Sequence, residues 1–408
     1  MDKKNSLLNN RYSNIQFFNL KKTSILRSSS NKKLFNHKKD SNPIKDSLLL
    51  NKLIKNTNSF KQTIFRISSN KKLKSFVKTQ NKQLGNNKNN YNFIQVLGKG
   101  GFGKVYLVEQ KADKNKYALK VMSKRIVIQK KSVNSILNEK NILSSIKSEF
   151  IINILCSFQD RQNLYLKMNY LGGGDLRFHL YIKKFNEEEV RFIACCIIKG
   201  LEDVHRKGFI HRDIKPENLV FEESGYLRIT DFGISRKIKQ ENYNETSGTP
   251  CYMCPEVLLR KNHGFDADFY ALGIILYEIC FNKRPYNGRD RREIRDFILT
   301  KQIKIKNSRY SEEFNDFVNG LLLRKRHKRL GYNGASELKS HPWLKDISWK
   351  SIKEKSKTPP YKPDLIILNK YLNQLSNNSN CEINNENSPN ILPIDSELFK
   401  DYNYDVNN

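Results

Sequence analysis

His211-Arg212-Asp213-Ile214-Lys215-Pro216-Glu217-Asn218-Leu219-Val220 and, shortly after it, Thr230-Asp231-Phe232-Gly233 decide how this 408-residue chain is read. Singly, Asp213, Asn218 and Asp231 read as turn residues, because short polar side chains bond their own backbone. As a set with Lys215 they read differently. One carboxylate can take a proton, one amine can meet negative charge, and two hard oxygen donors suit a divalent cation.

Upstream, Phe93, Ile94, Val96 and Leu97 form a short strand-like run into Gly98-Lys99-Gly100-Gly101-Phe102-Gly103-Lys104-Val105, and Tyr106-Leu107-Val108 resumes it. Glycines let backbone N–H groups come close to phosphate oxygens. In dinucleotide-binding folds a helix must follow such glycines; here a second strand follows. Next, Tyr117-Ala118-Leu119-Lys120-Val121-Met122 places one lysine in an apolar strand, where burial is costly without a negative partner. The segment Lys131 to Ile146 reads as a helix, and Glu139 within it is the natural partner. Glu149 lies too close to the helix end.

These features, in this order, resemble the eukaryotic serine/threonine protein kinases of the AGC group, most closely YANK-like and related protist members. The resemblance covers roughly Tyr91 to Tyr404. It implies an α+β, two-lobed kinase fold with an AGC-type C-terminal tail and ATP in the cleft between the lobes. Residues 1–90 fall outside it and read from their composition as a basic, mostly disordered tail; the resemblance implies a catalytic domain over 91–344 (small lobe and hinge to 171, large lobe from 172). Residues 345–408 form a second tail with a hydrophobic motif at 399–404. Residue by residue, Leu97, Gly98, Lys99, Gly100, Gly101, Phe102 and Gly103 would cover the nucleotide and Val105 its adenine. Lys120 would hold the α- and β-phosphates with Glu139 behind it. In Asn163-Leu164-Tyr165-Leu166-Lys167-Met168-Asn169-Tyr170-Leu171, Met168 matches the gatekeeper, and backbone groups at Asn169 and Leu171 would meet the adenine edge. Many AGC kinases have Glu where Asn169 stands. Asp175 would bond the ribose or a basic substrate side chain. Asp213 would orient the substrate hydroxyl as base, Lys215 would steady the γ-phosphoryl, and Asn218 and Asp231 would hold Mg²⁺.

Further along, Asn244-Glu245-Thr246-Ser247-Gly248-Thr249-Pro250-Cys251-Tyr252-Met253-Cys254-Pro255-Glu256 resembles the activation and substrate-binding segment. Thr249 marks serine/threonine kinases and should touch Asp213 and Lys215. Glu256 should pair with Arg329, and Asp268 should anchor the catalytic loop. Cys254 replaces the usual Ala before Pro255; with Cys251 it makes a C-x-x-C, read as coincidence because no second Cys/His pair lies nearby. Glu245 stands at the usual phosphothreonine position and would partly mimic phosphate towards Arg212. In the tail, Thr358-Pro359-Pro360-Tyr361-Lys362-Pro363 resembles the segment that wraps the small lobe. Phe399-Lys400-Asp401-Tyr402-Asn403-Tyr404 resembles the hydrophobic motif, with Asn403 at the phospho-acceptor position. Its aromatics are expected beside the Glu139 helix.

Asp175, Glu217 and Glu278 match acidic positions that bind arginines upstream of the acceptor, so basic residues before the target Ser/Thr are expected. A pseudokinase reading predicts loss of Lys120, Asp213 or Asp231, and all three are present.

The chain is strongly basic, with a formal net charge of +33. Residues 1–90 hold 21 Lys+Arg against 3 Asp and no Glu. They are rich in Asn, Ser and Lys, the composition of segments too polar to bury a core. Leu48, Leu49, Leu50, Leu53 and Ile54 could line one side of a short basic helix, which admits weak contact with an anionic membrane. The plainer reading is a solvated tail, and no specific nucleic-acid partner is expected without regularly interleaved aromatics. No apolar run approaches the roughly 20 residues of a membrane span. Seven scattered cysteines fit reduced thiols in the cytoplasm or nucleus. A monomer acting on protein substrates is expected.

Overall fold

The computed structural model describes residues 86–238, 247–306, 308–377 and 397–406. The Leu48–Ile54 run, Glu245 and Thr246 lie outside the described residues.

Three strands, β1 (Tyr91–Lys99), β2 (Gly103–Gln110) and β3 (Lys116–Ser123), begin an antiparallel sheet. A short helix, α1 (Lys124–Gln129), leads to α2 (Val133–Ser145). The sheet continues with β4 (Ile154–Gln159) and β5 (Asn163–Asn169), in the order β1-β2-β3-β5-β4. The expected helix thus begins two residues later than read. Lys131, with φ 51°, turns the chain between α1 and α2. On α2 the buried residues are Ile136, Glu139, Lys140, Ile142 and Leu143. Their i, i+3, i+4, i+7 spacing makes one inward face, and Glu139 lies on it.

The second lobe is helical. It contains α3 (Leu176–Ile182) and α4 (Glu187–Arg206), then the small strands β6 (Phe209–Ile210), β7 (Leu219–Phe221), β8 (Leu227–Ile229) and β9 (Arg236–Lys237). Helices α5 (Asp266–Phe281), α6 (Arg291–Thr300) and α7 (Glu312–Leu321) follow. Asn186 and Glu189 close a reciprocal capping box at the start of α4. Helix α5 is apolar nearly all round and runs through the core. No described helix is long and apolar enough to cross a membrane.

The C-terminal segment departs in part from expectation. Tyr361 sits on the large lobe, not the small one. Its ring packs edge-on against His179, Phe185 and Phe221, and its hydroxyl meets His179 Nδ1 at 2.7 Å. A Cβ at Gly225 would stand 2.1 Å from Tyr361 O, so the β7–β8 turn needs glycine there. Helix α8 (Leu365–Asn377) then places Tyr371 on Phe178, with ring centroids 4.8 Å apart. The last described segment returns to the small lobe. Tyr404 and Asp405 form β10, which pairs antiparallel with β4.

Candidate active site

The glycine turn joins β1 to β2. A Cβ on Gly103 would lie 1.9 Å from Val121 O, so packing on β3 demands glycine there. At Gly98 and Gly100 a Cβ would meet nothing among the described residues closer than 3.9 Å. Their bare backbone is not required by packing, and it leaves open space for a ligand. Lys130, not singled out from sequence, donates to Gly101 O at 2.6 Å and stands over the Phe102 ring. Leu97, Phe102 and Val105 pack against the main core at the cleft edge, and Lys99 is exposed on the turn.

Behind the turn, β3 register puts Lys120 opposite Val105 on β2 and Leu166 on β5. Its Nζ meets Glu139 Oε1 at 2.7 Å and Oε2 at 2.9 Å. Burial works to discharge Lys120, but Glu139 and Asp231 outweigh it and raise its pKa, so the amine stays charged. Glu149, the rejected alternative, pairs with Arg228 instead. Met168 and Asn169 end β5, where Asn169 N–H donates to Asn153 O at 3.2 Å; Leu171 follows against the core.

The catalytic-loop side chains converge. Asp213 Oδ1 accepts from Thr249 N at 3.0 Å and Thr249 Oγ1 at 2.8 Å. Its Oδ2 accepts from Lys215 Nζ and, at 3.1 Å, from Asn218 Nδ2. Lys215 also donates to Thr249 Oγ1 at 3.0 Å. Asp268, buried at the start of α5, accepts from the backbone N–H groups of His211 and Arg212, both at 2.9 Å. This holds Arg212 at φ 70°, a strained conformation for a side-chain-bearing residue. Asp231 has φ 62°, and its Oδ1 accepts from Gly233 N at 3.3 Å. Burial would raise the Asp231 pKa, but Lys120, the Gly233 N–H, His211 and Lys215 hold it below the ordinary carboxylate range. The adjoining Phe232 is buried edge-on against His211.

Glu256 and Arg329 form the expected pair in the core, with Nη2 to Oε2 at 2.9 Å, and Asp266 adds a second acceptor at 3.0 Å. The Cys251 thiol accepts from Arg284 at 3.0 Å, whereas burial pushes the Cys254 thiol well up beside Glu256.

The three acidic positions expected to meet nucleotide or substrate have partners within the chain. Asp175 caps α3, accepting from Phe178 N at 2.8 Å, and burial pushes its carboxyl up to about 6. Glu217 and Glu278 do not stand open for a substrate arginine, because Arg177 pairs with both, at 2.8 and 2.7 Å. Arg177 gave no sequence signal. It reads as a surface residue of a short helix, and its partners lie 40 and 101 residues away.

Residues 91–344 match the protein kinase domain family. A probable serine/threonine-protein kinase of Dictyostelium discoideum is 39% identical over 287 residues, 69% of this chain and 62% of its own length. Protein kinase 2 of the same organism is 37% identical over 287 residues, 70% of this chain and 60% of its own length. The catalytic subunit of its cAMP-dependent protein kinase is 34% identical over 319 residues, 76% of this chain and 48% of its own length. The chain thus spans about half to three fifths of the length of these relatives. With its matched region covering well over half of its length, the chain belongs to the protein kinase domain family, in the AGC group of serine/threonine kinases.

Proposed function

We propose that this chain is an active serine/threonine protein kinase that moves the γ-phosphoryl group of ATP to hydroxyls of protein substrates. The observation that carries the reading is the shared network of Asp213, Lys215, Asn218 and Thr249, set beside the charged Lys120–Glu139 pair. Phosphoryl transfer asks for positioning and charge neutralisation more than for covalent help. Asp213 is the base that aligns the attacking hydroxyl and takes its proton. Lys215 lies next to that point and meets the charge that grows on the transferring group. The bare backbone at Gly98 and Gly100 gives phosphate oxygens room to approach N–H donors, and Lys120 supplies a fixed cation beneath them. Backbone groups at Asn169 and Leu171 meet the adenine edge beside Met168.

Asn218 and Asp231 suit Mg²⁺. The Asn218 amide nitrogen is spent on Asp213, which leaves its oxygen as the available donor, and Asp231 stays ionised with Oδ2 uncommitted to Gly233. When bound, the metal neutralises phosphate charge. Both residues are held for it beforehand, Asn218 by its backbone bond to Thr230 and Asp231 by its turn.

Thr249 supports the hydroxyl class. Its side chain touches both Asp213 and Lys215, the contact expected of serine/threonine kinases. An array of peptides alike except for a Ser, Thr or Tyr acceptor tests this with ATP and Mg²⁺. Ser and Thr peptides should be labelled and Tyr peptides not; labelling of Tyr alone would overturn the acceptor class. The expected preference for upstream basic residues loses its support at Glu217 and Glu278, both paired within the chain. A monomeric, cytoplasmic enzyme completes the reading, with no partner assigned to residues 1–90.

A further inference from the structure

Arg177 sits at the second position of α3 and ties four separate parts of the large lobe together. Its Nε donates to Glu217 Oε1 at 2.8 Å, one residue before Asn218 in the catalytic loop. Its Nη1 and Nη2 fork onto Glu278 Oε1 and Oε2 of α5, at 2.7 and 3.3 Å. Nη2 also donates to the Tyr252 hydroxyl at 2.6 Å, and that hydroxyl donates in turn to Glu278 Oε2 at 2.7 Å. Tyr252 lies three residues beyond Thr249, on the segment that touches Asp213. Glu278 and Tyr252 are buried, while Glu217 is 45% exposed.

A guanidinium is planar, always charged, and shaped for two parallel bonds to a carboxylate. Arg177 makes that match at Glu278 and spends a further N–H on Glu217. Two carboxylates therefore face one permanent cation, and among the described residues only the outer edge of Glu217 remains open. Asp175 adds little, since its carboxylate is turned to capping α3. An arginine arriving from a substrate would find no free fork and would meet a like charge.

We propose that Arg177 is a specificity-determining residue that fills the acidic subsite from within, so that this kinase acts on Ser/Thr in sequences lacking upstream arginine. This rests on the kinase reading given above. Arg177 does from inside what a substrate's arginine would do from outside: it bridges the catalytic loop, α5 and the Thr249 segment. Removing it should therefore create a vacancy that a substrate arginine can refill.

The test uses the full chain and a Ser peptide series in which one Arg is walked through the five upstream positions against an all-Ala background. The readout is the ratio of kcat/KM for each Arg peptide to that of the Ala peptide. Partial unfolding cancels from this ratio, because both peptides see the same active enzyme. Wild type should give ratios within about threefold of one, and Arg177→Ala should favour at least one Arg peptide by about tenfold or more, since a buried carboxylate then lacks its partner. Arg177→Gln keeps an N–H donor for Glu278 without the charge and should shift the ratio in the same direction if the alanine variant fails to fold. A wild-type preference for upstream Arg of about tenfold, or a ratio left unmoved in both variants, overturns the proposal. Failure of wild type to label any Ser or Thr peptide on a broad array would instead overturn the kinase reading itself.

Discussion

His179 has no exposed surface, yet both of its ring nitrogens are satisfied. Nε2 lies 2.6 Å from Gly173 O, a pure acceptor, so the proton sits on Nε2. Nδ1 is then the acceptor, and the Tyr361 hydroxyl donates to it at 2.7 Å. Protonating Nδ1 would abolish that acceptor. Burial lowers the His179 pKa to about 4, the Gly173 carbonyl opposing it only in part. The folded pKa thus lies below the unfolded value, so stability is fully present above about pH 6.5 and is lost as pH falls towards 4. The loss should reach about 3 kcal/mol near pH 4. Urea unfolding from pH 7.5 to 4.5 should show this slope, and His179→Gln should flatten it. An unchanged slope in the variant would remove His179 from the account. The Tyr361 contact also explains why this stretch of sequence was misplaced. Its motif was legible, but which lobe it covers depends on a histidine 182 residues away.

Among elements, α2 is the one whose position decides whether Lys120 is paired, and the C-terminal motif holds it from outside. Phe399 and Tyr402 are both 0% exposed and belong to the main core. Lys140 on α2 donates to Asp401 O at 2.7 Å. On β4, Gln159 donates to Phe399 O at 2.8 Å and Ser157 bonds Tyr402 O. Asn403, at the phospho-acceptor position, meets Gln159 at 3.5 Å without a phosphate. Deleting two buried aromatics removes several kcal/mol of packing, of which about 1.4 is enough to lower kcat/KM tenfold if it was holding α2 inward. Phe399→Ala with Tyr402→Ala should therefore reduce peptide phosphorylation by about tenfold or more. Tyr402→Phe is the control: its hydroxyl is buried with no hydrogen-bond partner among the described residues, so its loss should leave activity unchanged. Equal kinetics for all three proteins would show that α2 does not depend on the motif. The aromatic pattern was readable because burial of large rings dominates its energetics. The bonds from Lys140 and Gln159 to backbone carbonyls were not, because a carbonyl acceptor leaves no trace in residue identity.

At the scale of the whole molecule, what was legible were local motifs whose residue types the chemistry dictates. Asp213, Lys215, Asn218 and Asp231 lie close in sequence and converge through short turns. Lys120 with Glu139 was found because a buried charge demands a partner, and Glu256 with Arg329 because the segment around Glu256 resembles that of known kinases. Arg177 escaped the same logic, since a lone arginine on a short helix has ample solvated alternatives. Its pairing emerges only when α3, α5 and the Thr249 segment are packed together. The two lobes bring a charged lysine, the Asp213 carboxylate and two oxygen donors to one cleft, and in the proposed function this assembly transfers phosphate. The most direct measurement is ATP γ-phosphoryl transfer to a Ser peptide by wild type and by Asp213→Asn, with nucleotide binding followed in parallel. Asp213→Asn is nearly isosteric but cannot take a proton, so transfer should fall by about 10²–10⁴-fold while nucleotide affinity stays within a few-fold. Transfer at the wild-type rate by the variant would contradict the account.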